Sequence, residues 1–150
     1  VPQSFTCLHY HLVFATRLRE PAITPEIGPR LWDFLGGMVR MLGGIPLAVG
    51  GIADHVHLLV TLRQQPALAD VMRELKARSS GWVHETFPAT GRVWWQAGYG
   101  AFTVSHSGIG AVRDYIHNQD HHHRTRGFED EFRHLLRKHE IGYDEDGLWE

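Results

Sequence analysis

The chain of 150 residues is 43% hydrophobic and 21% charged, with 15 Lys+Arg against 17 Asp+Glu and a formal net charge of −2. That length suits one domain with a real core, and the charge lacks the basic excess of a non-specific nucleic-acid binder, although a local basic surface suffices for a specific one. No apolar run approaches a membrane span, the opening VPQSFTCLHY shows no secretory pattern, and the lone Cys7 leaves no internal disulfide and no cysteine-based zinc site, so a cytoplasmic protein away from membranes is expected.

SFTCLHYHLVFAT, Ser4 to Thr16, alternates as a strand does: Leu8, Tyr10, Leu12 and Phe14 share one face, while Cys7, His9, His11 and Val13 share the other. A proline-bearing turn leads to a helix from Pro25 to Leu42. Thr24 suits its N-cap, and Ile27, Leu31, Phe34/Leu35, Met38 and Leu42 form its apolar stripe. Gly43–Gly44 stops that helix. IPLAVGGI (Ile45 to Ile52) and HVHLLVTL (His55 to Leu62) read as two strands joined by a short turn, with Pro46 best placed at a sheet edge. A second helix follows Pro66, burying Leu68, Val71/Met72, Leu75 and Trp82/Val83 and carrying Arg73, Lys76 and Arg78 elsewhere. A fourth strand is expected near Ala101 to Val104, and a third helix from about Gly108 to His123 with Ser107 as its cap. A last short helix lies around Phe132 to His139, before the acidic tail YDEDGLWE.

Strand, helix, strand, strand, helix, strand is the split βαβ order of an α+β, ferredoxin-like (RRM-like) fold. It is a βαββαβ antiparallel sheet with helices on one face and an appended C-terminal helix at about 108–123. We expect a single domain over 1–150 with a tail at 140–150. The first and third strands lie together at the centre of such a sheet. Their even residues then face the two helices, and His9, His11, His55 and His57 gather on the opposite face.

His55 and His57 in DHVHLLV are the chemically interesting pair among twelve histidines. Two imidazoles side by side on a strand serve as metal ligands or face solvent, and partners decide between these. RDYIHNQDHHHR supplies partners: Tyr115 and Gln119 stand four residues apart on one helical face, with His122 following. The apolar stripe Ile109, Val112 and Ile116 lies about 100° round the helix, so packing it on the sheet leaves Tyr115 and Gln119 at the margin, within reach of His55 and His57.

These residues resemble the single-tyrosine HUH transposases of the insertion sequence 200/605 type. HVH at His55–His57 fits the His–hydrophobic–His motif, and YIHNQ fits the helical Tyr with Gln four residues on; YHLVFATR, ELKARSS and WQAGYGAFTVS also look like family segments. The resemblance implies cleavage and rejoining of single-stranded DNA at transposon ends folded into hairpins, through a covalent 5′-phosphotyrosine. Tyr115 would be the nucleophile, with a divalent ion, Mg²⁺ or Mn²⁺, on His55, His57 and Gln119. It also implies a homodimer with shared active sites in a bacterial or archaeal cell. The chemistry agrees: a phenol of pKa about 10 is a weak nucleophile, helped by a cation that withdraws charge from the phosphate.

Other features read more plainly. His9 and His11 are expected to bond neighbours or support the pair from behind. The DHHHR tract cannot bind one ion with every histidine, since consecutive helical residues fan out by about 100°. Lys76, Arg78, His122 and Arg124 are candidate DNA contacts, though each also suits a solvated basic face. Trp94, Trp95 and Tyr99 suit packing or loop anchoring before base stacking, and Cys7 suits a small buried apolar site. Alternative functions are a host-adapted HUH nuclease, a metal-dependent phosphoesterase that uses water, and an RRM-like nucleic-acid-binding module without strand transfer. The last usually stacks bases on sheet aromatics, whereas histidines occupy that face here.

Overall fold

The computed structural model describes residues 2–90, 94–119 and 127–148. The described elements run β1 (Leu8–Ala15), α1 (Ile27–Met41), β2 (Ile45–Ile52), β3 (His55–Leu62), α2 (Leu68–Thr86), β4 (Gly100–Thr103), α3 (Ile109–His117) and α4 (Phe128–Lys138). The four strands form one antiparallel sheet in the order β2-β3-β1-β4. The expected α+β, ferredoxin-like architecture is therefore present, with β1 and β3 at its centre. Pro46 lies on an edge strand, as its missing N–H requires, beside a register shift between Pro46 and Ala48.

Alternation divides the sheet into two chemically distinct faces. Leu12, Phe14, Val56, Leu58 and Val60 point to one side and pack against Ile27, Leu31 and Leu35 of α1 and Val71, Met72 and Leu75 of α2. Leu12, Leu58, Leu31 and Leu75 are wholly buried. At about 1.5–3 kcal/mol for each such side chain, this layer is the main favourable contribution to folding. Thr24 stands one turn ahead of α1, where its hydroxyl and carbonyl both accept from the Ile27 N–H.

The other face is covered in two patches. Ile116 of α3 packs on Ala48 and Leu59, with Ile109, Val112 and Tyr115 at the margin. Phe128, Leu135 and Leu136 of α4 pack on Val13, Ala15 and Phe102. The central histidines lie in the seam between these helices. Gly50 lets α3 approach so closely, since a Cβ there would meet the Ile116 carbonyl oxygen at 3.0 Å.

Helix boundaries differ from expectation: α1 begins at Ile27 rather than Pro25, with Glu26 rather than Thr24 at its N-cap, and Gly108 rather than Ser107 stands at the N-cap of α3. α3 follows a 3₁₀ turn at His106–Gly108 and leaves helical geometry at Asn118 (φ −103°, ψ 24°), a residue type that suits helix ends; residues 120–126 lie outside the described set. α4 begins at Phe128, four residues earlier than the apolar spacing alone suggested. No helix among the described residues is long and apolar enough to cross a membrane.

Candidate functional site

His55 and His57 are both fully buried, and each ring is held by its Nδ1. His55 Nδ1 lies 2.7 Å from the Asp54 carboxylate, and His57 Nδ1 lies 2.7 Å from His11 Nε2. The His11–His57 contact follows from register: Val13 pairs with His57 and His11 with Leu59, which brings the two rings together on the same face of adjacent strands. With both Nδ1 atoms engaged, the two Nε2 atoms turn toward one another's surroundings. This is how ligating histidines are usually oriented.

The Nε2 atoms meet oxygen from two helices. Gln119 Oε1 lies 3.1 Å from His55 Nε2, and the Gln119 side chain is 2% exposed. Glu131 Oε1, on α4, lies 2.7 Å from His57 Nε2 and 3.4 Å from His55 Nε2, and Glu131 is likewise 2% exposed. The ligand atoms of His55, His57 and Glu131 all fall within 4.8 Å of one another. Tyr115 completes the group, its ring centroid 5.8 Å from His57 and 6.2 Å from His11, edge-on to both. Phe128 stacks on His55 at 4.3 Å and closes the apolar side.

Two nitrogens, an amide oxygen and a carboxylate suit a hard or borderline divalent ion of the Mg²⁺ or Mn²⁺ type, the imidazoles favouring Mn²⁺. A buried carboxylate against two imidazoles needs a compensating positive charge, whether ion or proton. The protons behave accordingly. Burial alone would lower the pKa of His55, but hydrogen bonds to Asp54 and Glu131 outweigh it and leave the group raised above its ordinary 6.5. Burial, then the neighbouring His57, push His11 well below that value, so His11 stays neutral.

Thus His55, His57, Tyr115 and Gln119, read from the sequence, come together in one place. Glu131 and Asp54 were not anticipated. Lys76 donates to the carbonyls of Gln96 and Gly98, both at 2.7 Å, so it fastens a loop, and burial lowers its pKa. Arg78 is an exposed helix charge paired with Glu74 at 2.6 Å. His122 and Arg124 lie outside the described residues. Trp94 is buried, and the Trp95 indole donates to Ser79, so both anchor the loop; Tyr99 is 41% exposed at a cleft of about 180 Å³ that Val13, Phe128 and Phe132 also line. Cys7, expected to be buried, is exposed just ahead of β1.

Comparison with known proteins gives a consistent neighbourhood. The family model described as transposase IS200 like matches residues 4–119. The ISDra2 transposase TnpA of Deinococcus radiodurans is 27% identical over 117 residues, covering 75% of this chain and 84% of that protein. The transposase for insertion sequence element IS200 of Salmonella typhimurium is 28% identical over 115 residues, covering 73% and 75%. Among solved structures, a Deinococcus radiodurans protein described as a transposase superposes with a TM-score of 0.64 at 28% identity, covering 79% of this chain and 95% of that one. A REP-associated tyrosine transposase bound to a REP hairpin superposes at 0.59 with 14% identity, covering 82% and 73%, which speaks for the shared fold alone.

Proposed function

The chain belongs to the IS200-like transposases, and from that premise we propose that it cleaves and rejoins single-stranded DNA at transposon ends through Tyr115. The observation that carries this reading is the convergence of His55 Nε2, His57 Nε2, Gln119 Oε1 and Glu131 Oε1 beside the Tyr115 ring. His55, His57 and Gln119, joined by Glu131, would hold a divalent ion, Mg²⁺ or Mn²⁺, which withdraws charge from the scissile phosphate. Tyr115 attacks phosphorus; its Oη–P bond forms as the P–O3′ bond breaks, the phenolic proton is lost, and the departing oxygen takes up a proton to become a 3′ hydroxyl. The phosphotyrosine ester retains the bond energy, so rejoining needs no nucleotide cofactor.

The protein's own groups do the positioning. Asp54 and His11 fix the two imidazoles, Ile116 seats the tyrosine helix on the sheet, and Phe128 excludes water from the His55 side. The cleft beside Tyr99 has room for a base flanking the cleaved bond, which an exposed phenol ring stacks well. A relative of the same fold is bound to a REP hairpin, and we extend hairpin recognition to this chain's DNA. We further propose a cytoplasmic homodimer with shared sites, in which α3 moves about the Ser105 to Gly110 segment. Its two glycines and two serines suit a pivot.

The test is Tyr115→Phe with the flanking DNA as single strands plus Mn²⁺. The ring still packs and only the nucleophilic oxygen is lost, so the variant should bind DNA yet form no gel-stable covalent adduct. Adducts at the wild-type rate would overturn the mechanism.

A further inference from the structure

His9, although it belongs to the same histidine-rich face, takes no part in the site above. Its Nδ1 lies 2.8 Å from the Thr61 hydroxyl on β3, the residue with which it pairs in the sheet. When Nδ1–H donates to that hydroxyl, the lone pair sits on Nε2. Two further ligand atoms face this lone pair: Cys7 Sγ at 3.2 Å and His106 Nδ1 at 3.1 Å. All three ligand atoms lie within 4.8 Å of one another. The cluster shares no residue with the His55–His57 site and draws on two distant parts of the chain.

We propose that Cys7, His9 and His106 form a second metal site, for a borderline-soft ion of the Zn²⁺ class. The donor set argues for that class, because a thiolate with two imidazoles is a poor match for Mg²⁺ and a good one for Zn²⁺. The spacing fits as well. Tetrahedral Zn²⁺ with bonds of about 2.0–2.1 Å to nitrogen and 2.3 Å to sulfur places its ligands roughly 3.3–3.6 Å apart, so the two separations from His9 Nε2, 3.2 Å and 3.1 Å, need to open by only a few tenths of an ångström. His9 is 8% exposed, whereas Cys7 and His106 are exposed, so the ion has a route in from solvent and a fourth position open to water. The Thr61 hydroxyl holds the His9 ring at Nδ1 and accepts from Nδ1–H in the tautomer that presents Nε2 to the ion.

The location gives the site a consequence. His106 opens the 3₁₀ turn that runs directly into α3, and Cys7 immediately precedes β1. An ion bound by both fastens the start of the tyrosine helix to the centre of the sheet and resists its displacement.

Co²⁺ titration provides the test, because a cobalt–thiolate bond has an ultraviolet charge-transfer band and tetrahedral Co²⁺ has intense visible bands. The full chain should develop both, saturating at one such ion, and Zn²⁺ should bleach them. His57→Ala should retain the bands, which separates this site from the one proposed for catalysis. Cys7→Ser should abolish the charge-transfer band, and His106→Ala should weaken Zn²⁺ binding at least about tenfold, in the range that losing a ligand-supporting group already costs. Both positions are exposed, so neither change threatens the fold. Absence of a charge-transfer band in the wild type, or a band that survives His106→Ala at unchanged affinity, would overturn the proposal.

Discussion

Nε2 of His11 lies 2.7 Å from Nδ1 of His57, and the two rings stack with centroids 4.9 Å apart. A neutral His11 has one acceptor nitrogen, and burial beside His57 keeps it neutral. Once an ion takes the lone pair of His57 Nε2, the His57 proton is on Nδ1 and donates to His11 Nε2; in the metal-free chain a proton lies instead between His57 Nε2 and Glu131, 2.7 Å apart. His11→Phe keeps an aromatic ring but removes the acceptor. Mn²⁺ affinity should fall by about 10–100-fold, the usual cost of losing a partner behind a ligating imidazole. Calorimetric titration measures it, and unchanged affinity would mean that His11 only fills space.

The raised pKa of His55 makes metal binding a competition with a proton. Mn²⁺ affinity should therefore drop as pH falls through that pKa, with the loss already under way above 6.5, the ordinary value. The metal-free chain should behave oppositely with respect to this group. Its protonated His55 interacts with Asp54 and Glu131, a contribution fully present below pH 6.5 and lost as pH rises through the folded pKa. His11 runs the other way, its share of stability being lost as pH falls below 6.5. Mn²⁺ titrations across this range decide the first point, and affinity independent of pH would show that His55 is not a ligand.

Glu131 is the group with the largest unread role. As a ligand it adds a negative charge that Gln119 lacks, so Glu131→Gln should weaken Mn²⁺ binding more than Gln119→Ala does. It also joins α4 to the sheet through His57 at 2.7 Å. Removing a charged hydrogen bond of that kind should cost the metal-free chain about 1.5–3 kcal/mol, visible as a lower thermal midpoint. Tighter Mn²⁺ binding in Glu131→Gln would instead identify the carboxylate as a competitor for the imidazoles.

What the sequence made legible was whatever depends on period and order. Alternation placed His55 and His57 opposite the core, and the element order placed β1 beside β3, so the His11 contact needed only the register. Tyr115 and Gln119 were legible from their four-residue spacing. Glu131 was hidden because FEDEFRHLLRK looks like a charged surface helix when started at Phe132. Started at Phe128, the same segment puts Phe128, Glu131 and Leu135 on one buried stripe, and a glutamate in such a stripe is the signal. The Cys7 cluster was hidden for a different reason: His9 and His106 are 97 residues apart, and no local pattern joins them. A lone cysteine argues against a cysteine-only zinc site, but not against one completed by histidines from elsewhere.

Within one chain, α3 rests on its own sheet, and Gln119 reaches its own His55 at 3.1 Å. The same contacts form between chains if α3 swings about Ser105 to Gly110 and the two copies exchange helices, as identical elements do in swapped dimers. Mixing two inactive variants separates the arrangements. A Tyr115→Phe chain still offers His55 and His57, and a His57→Ala chain still offers Tyr115. With shared sites, each heterodimer contains one complete site of two, and cleavage should return to about half the wild-type level. With sites confined to one chain, every site in the heterodimer lacks either its nucleophile or a ligand. Verified heterodimers that form no covalent adduct would therefore keep Tyr115 with its own strand in the state that cleaves.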